Sequence, residues 1–358
     1  MDPEAGTSRQ PLAAALRWDL TVRLLLGVAL PPLVEAAVSG SVSTLGATAS
    51  LTALLVTFCS LGPDLSNWRW VAVSAVATPV AIIVGGHLAT EPAGGTLWVF
   101  VLFVLQGAML QVGVPAQLAW FPVSSAGLLA GLLVSDTTDL SAVAAGGVAG
   151  SAWAALLIFL VPLFVRAPRL DVPASAVEVD TARLARMVRS PRWTDWVLPL
   201  LLGGLAAVLL AVAAAATGGF RPYWAVFAMV SVLGPTAART RRSAAQTVLG
   251  AMLGVGLAVV LTATPWSSAV VLATATVMLL VGALLLLVSG TLSKTLTTPL
   301  PVLMAAAVLR DEGVAALEAR LVEYLVGAGV GLVVAVVAEA LVRRLSARKT
   351  GAGEAPVS

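Results

Sequence analysis

The sequence predicts an all-α polytopic membrane protein of about 12 transmembrane helices, laid out as two parallel six-helix repeats. Three observations carry this. Apolar residues fill 59% of the positions and charged ones only 11%, and the apolar residues fall in runs of roughly 15 to 25, enough to span about 30 Å of hydrocarbon at 1.5 Å per residue. Short signatures of the first half recur in the second at a near-constant spacing. Lysine and arginine gather on one side of the implied membrane.

Residues 1–17 form a polar N-terminal tail, expected to be disordered and cytoplasmic. The first repeat, 18–165, holds spans near 22–39, 43–62, 71–88, 96–112, 117–135 and 142–165. Its first span contains Glu35 and the pair Pro31-Pro32, lacks a clear cleavage site and has a counterpart at residue 196, so it is read as retained, not as a signal peptide. An arginine-rich cytoplasmic linker, 166–192, follows; Arg183, Arg186 and Arg189 fall at three-residue intervals along one side of a short helix, which suits either a topogenic linker or a helix lying on anionic headgroups. The second repeat, 193–345, holds spans near 196–216, 222–236, 244–263, 267–288, 295–309 and 319–342, and 346–358 is a polar cytoplasmic tail. Glycine pairs at four-residue spacing (Gly146/Gly150, Gly250/Gly254, Gly327/Gly331) permit close helix approach in lipid, where no hydrophobic drive joins helices.

The repeat is visible in detail. Leu24-Leu25-Leu26-Gly27 returns as Leu200-Leu201-Leu202-Gly203, and Asp19 as Asp195, each after an arginine-tryptophan pair. Leu61-Gly62-Pro63 returns as Leu233-Gly234-Pro235, Arg69 as Arg241, Pro122 as Pro299 and Gly150 as Gly327. An even number of spans per half gives both halves one orientation, so they relate through an axis along the membrane normal. With both termini inside, only Arg221, Arg310 and Arg320 face out.

Several chemistries have no residues to carry them. The single Cys59 and single His87 form no metal or nucleophile set, and no phosphate-binding loop or dinucleotide fingerprint is present. The chain is therefore expected not to be an enzyme, to need no cofactor and no metal, and to bind no nucleic acid. A duplicated polytopic protein without a large soluble domain suits transport.

Arg221-Pro222-Tyr223-Trp224-Ala225, then Gly234-Pro235, Arg239, Arg241 and Arg242, then Gly250 to Gly254, resembles the fusaric acid resistance protein family, also called the aromatic acid exporter or integral membrane bound transporter family. Arg320 to Gly327, with Glu323, resembles its closing helix. The resemblance covers about 195 to 345. At the spacing of the Leu-Gly-Pro match, Tyr223-Trp224-Ala225 falls on Leu51-Thr52-Ala53, so the first half departs from the motif. Larger exporters of the family carry an extended cytoplasmic domain that this chain lacks. The resemblance implies efflux of aromatic or other amphipathic organic anions across the cell membrane; its likeness to plant malate channels keeps an anion channel open, and a packing scaffold is the rival of another class.

Candidate substrate contacts follow. Arg239, Arg241 and Arg242 could line a basic cytoplasmic vestibule, since guanidinium groups bind carboxylates in a bidentate way, or could anchor topology. Trp120, Ser124, Thr297, Thr298 and Pro299 belong to proline-interrupted segments in corresponding positions of the halves, which free backbone groups inside the bundle. Tyr223 and Trp224 suit an interfacial aromatic belt or substrate contact. Glu35 and Glu323 are the candidates for proton coupling, because an ionisable group within a span is costly unless used; both could instead reach the outer interface. Asp19 and Asp195 suit helix N-termini. The expected partners are a small organic anion, the lipid bilayer and, as an option, further copies of the chain.

Overall fold

A computed structural model of the chain describes residues 18–39, 43–57, 68–133, 140–165, 181–190, 192–216, 223–232, 237–263, 268–285 and 321–334, with isolated positions at 292, 295, 296, 336, 337 and 340. Among them every element is a helix and none is a strand. Each predicted span except 295–309, of which 297–309 lie outside the described residues, overlaps a helix.

Helix α1 runs from Trp18 to Ser39, α-helical over Trp18–Leu24 and Leu30–Ser39 with a π-helical turn, Leu25–Ala29, between. The cause lies in Pro31 and Pro32, which carry no N–H to close the turn before them. Side chains replace the missing donors: the Trp153 indole N–H donates to the Leu26 carbonyl at 3.0 Å and the Ser50 hydroxyl to the Val28 carbonyl at 2.6 Å.

Helix α2, Thr44–Thr57, starts where Ser43 Oγ accepts from Leu45 N at 3.1 Å. Then come α3 (Trp68–Leu88), α4 (Pro92–Val112), α5 (Val114–Leu133) and α6 (Leu140–Phe164). Proline opens α4, where its missing N–H costs nothing, and Gly113 ends it at a φ of 141°, open to glycine alone without strain. The linker forms the short α7, Thr181–Arg189. The second half gives α8 (Trp193–Ala216), α9 (Tyr223–Val232), α10 (Ala237–Ala263), α11 (Ser268–Leu284) and α12 (Leu321–Val334).

Five of these stretches, Trp18–Ser39, Arg69–Leu88, Pro92–Val112, Leu140–Phe164 and Asp195–Ala215, are long and apolar enough to cross a membrane. Their outer faces are apolar too: Val76, Leu97, Leu163, Leu201 and Val208 are exposed, an arrangement that suits lipid and not water.

Close packing rests on glycine. A methyl group on Gly150 of α6 would overlap the Ala49 carbonyl of α2, with Ala49 Cα at 2.9 Å. On Gly327 of α12 it would overlap the Ala225 carbonyl of α9, with Ala228 Cβ at 2.9 Å. The two contacts are alike, and they set Ala225 beside Ala49 in the comparison, one helical turn from the Ala53 that the Leu-Gly-Pro spacing selects. The halves also interlock. First-half α4 packs along second-half α8, Gly107 against Pro199 and Gly203 against Phe100, while the start of α1 packs on α11. One buried cluster runs through both halves, from Leu20 and Phe103 to Trp224, Leu279 and Tyr324.

Candidate substrate and coupling site

Helices α9 and α12 bring the family-like motifs together. Gly327 and Gly331 seat α12 on Ala225 and Met229 of α9, and the order of these contacts makes the two helices parallel. Glu323 lies one turn before Gly327 on the same face, so it points toward the start of α9. Its side chain is 4% exposed. Beside it the Tyr324 and Trp224 rings lie 5.7 Å apart between centroids, and Phe227 meets Trp224 edge-on at 6.0 Å. Tyr223 turns the other way, its hydroxyl against Gly95 of α4. Tyr223 and Trp224 are both buried within the protein, so they are not the interfacial belt that the sequence allowed. The result is a buried carboxylate on the helix face that meets α9, next in sequence to a packed pair of aromatic rings.

A second charged site was not among the predicted ones. Arg23 and Asp19, one turn apart on α1, form an ion pair with Nη2 3.5 Å from Oδ2, each side chain 1% exposed. Among the described residues Arg23 is the one buried basic side chain. Asp19 is thus more than a helix-end carboxylate. The helices packed on this part of α1, namely α2, α6 and α11, contain no charged residue at all. The sequence match between the halves differs here: Asp195 stands at the position of Asp19, but Pro199 at that of Arg23. The sequence signal is an arginine four residues after an aspartate, at the start of an apolar run.

The other predicted residues sort as follows. Ser124 is buried in α5, its hydroxyl 3.1 Å from Gln106 Oε1 of α4 and also within reach of the Trp120 and Phe121 carbonyls. The Trp120 indole N–H donates to the Leu102 carbonyl at 3.3 Å. These two residues knit α5 to α4. Thr297, Thr298 and Pro299 lie outside the described residues, as does Cys59. Arg239, Arg241 and Arg242 sit in the first two turns of α10, ahead of the span predicted at 244; Arg241 and Arg242 are exposed. Glu35 is partly buried and works as a cap: its carboxylate accepts from Ser43 N and Gly46 N, each at 3.0 Å, and from the Ser43 hydroxyl, which ties the end of α1 to the start of α2. Among the described residues no cluster of His, Cys, Asp and Glu could hold a metal ion.

No curated protein and no solved structure matches the chain at a significant level. Residues 205–334, which hold the Trp224–Glu323–Tyr324 cluster and the α10 arginines, match the family described as fusaric acid resistance protein-like; with the apolar helices, this points to a membrane protein of the transporter type.

Proposed function

We propose that the protein is a cell-membrane transporter that carries amphipathic organic anions outward, aromatic acids above all. The observation that carries the reading is the buried Glu323 carboxylate inside the family-matched segment. Arg241 and Arg242, exposed at the start of α10, supply a basic approach for an anion. Glu323 is the coupling residue of this scheme, and Trp224 with Tyr324 forms the packed aromatic pair on the same helix pair. Neither a cofactor nor a catalytic step takes part. A membrane potential of 100 mV, negative inside, is worth about 2.3 kcal/mol per expelled monovalent anion, roughly a fifty-fold gradient, so potential alone can drive export and a proton gradient can add to it.

The matched glycine contacts of α6 on α2 and α12 on α9 support two parallel repeats of six spans, and the one-sided placement of Lys and Arg in the sequence supports termini inside. The test is accumulation of a radiolabelled aromatic carboxylate in cells making the wild type or Arg241→Ala/Arg242→Ala, with and without a protonophore. Lower accumulation in energised wild-type cells alone is expected. Equal accumulation across a panel of organic anions refutes export, and unitary currents would replace the carrier with a channel.

A further inference from the structure

Helix α7 and the turn after it carry Arg183, Arg186, Arg189 and Arg192 and no acidic residue over 181–192. The helix is docked. Met187 is buried, and the Trp196 indole N–H donates to its carbonyl at 3.4 Å. Arg183 Nη2 donates to Gln111 Oε1 at 2.7 Å, and Gln111 Nε2 donates onward to the Asp195 carbonyl at 2.8 Å. This relay pins α7 to the last turn of α4 and the first turn of α8. Those two helices are long and apolar enough to span, so their ends mark the membrane boundary and α7 lies at that level.

The side of α7 turned away from the bundle is amphipathic. Arg186, Arg189 and Arg192 are exposed there, next to Val188 at 70% and Trp193 at 73% exposure. Water alone is a poor neighbour for an exposed indole and an exposed valine. The headgroup layer of an anionic leaflet is a good one: phosphates take the guanidinium groups, and the indole and valine enter the acyl boundary. A linker that only set topology would need the charges, but neither the docking relay nor apolar side chains held outward.

We propose that α7, Arg192 and Trp193 form a binding surface for anionic phospholipid headgroups. The surface is fixed to the seam where α4 of the first half packs on α8 of the second, so a bound lipid braces the joint between the halves.

The experiment uses the full chain in neutral detergent, its thermal midpoint followed as phosphatidylglycerol is titrated in, with phosphatidylcholine and inorganic phosphate as separate arms. Phosphatidylglycerol is expected to raise the wild-type midpoint and the other two to leave it unchanged. Each arginine near an anionic surface contributes roughly fivefold, so Arg189→Gln/Arg192→Gln, both at exposed positions, raises the half-effective phosphatidylglycerol concentration roughly thirty-fold. Superimposable curves for wild type and variant overturn the assignment, as does an equal response to phosphatidylcholine. A response to inorganic phosphate of the same size makes the site one for a free anion, not a lipid.

Discussion

Replacing Arg23 with Met and Asp19 with Leu, singly and together, tests whether the ion pair of α1 is as enclosed as its geometry states. At 3.5 Å and an effective dielectric of about 20, the attraction is about 5 kcal/mol, and α2, α6 and α11, packed on this part of α1, carry no charged residue that could replace either partner of the ion pair. Either single change strands a buried charge and is expected to cost about 3–5 kcal/mol. The double change removes both charges along with their desolvation, so it returns to within about 1 kcal/mol of the wild type or exceeds it. The assay is unfolding by sodium dodecyl sulfate in mixed micelles, read by tryptophan fluorescence, with the four proteins closing a double-mutant cycle. A coupling energy of about 3 kcal/mol or more is expected. An additive cycle, in which the double variant is as weak as the two singles summed, would refute the argument, because it would mean that water reaches the pair. Aromatic acid accumulation in the double variant then separates structure from use: a stable protein that no longer transports shows that the pair serves the passage of the anion.

Gly327→Ala drives a methyl group into the Ala225 backbone and should cost about 1–3 kcal/mol or more in the same unfolding assay, whereas Gly329→Ala, which meets nothing within 4 Å, should leave stability unchanged. Glu35→Ala removes the carboxylate that caps α2 and should cost about 1–2 kcal/mol, while Glu35→Gln keeps an acceptor and should leave both the unfolding midpoint and the pH profile of transport as they were; a shifted profile would return Glu35 to the coupling role.

The helices were legible because a bilayer demands apolar runs of fixed length, and even the last residues of α3 and α6 fall within a few residues of expectation. The short α7 was legible in its arginine spacing, but its docking was not, since Gln111 and Asp195 lie far from Arg183 in sequence. Arg23 is hard to single out in sequence, because averaged hydropathy dilutes one charge in an apolar run and Asp19 falls just outside the run that begins at residue 22. Whether that pair is buried is decided by α11, some 250 positions later. Tyr223 and Trp224 look interfacial in sequence because they open a span; the glycine face of α12 is what draws Trp224 into the core. For Glu35 the sequence showed an acid in a span, and only the turn into α2 shows that backbone amides consume it.

The π turn of α1 gives a single rod two headings. Its first two turns address α11 in the other half, and its last three address α2 in its own. An uninterrupted α-helix of the same sequence would carry one fewer residue around that bend, leaving its ends out of phase by about 100°. α1 thus behaves as a splined shaft journalled in both halves. The join lies at Leu25–Ala29, where Trp153 and Ser50 supply the donors that the backbone lacks.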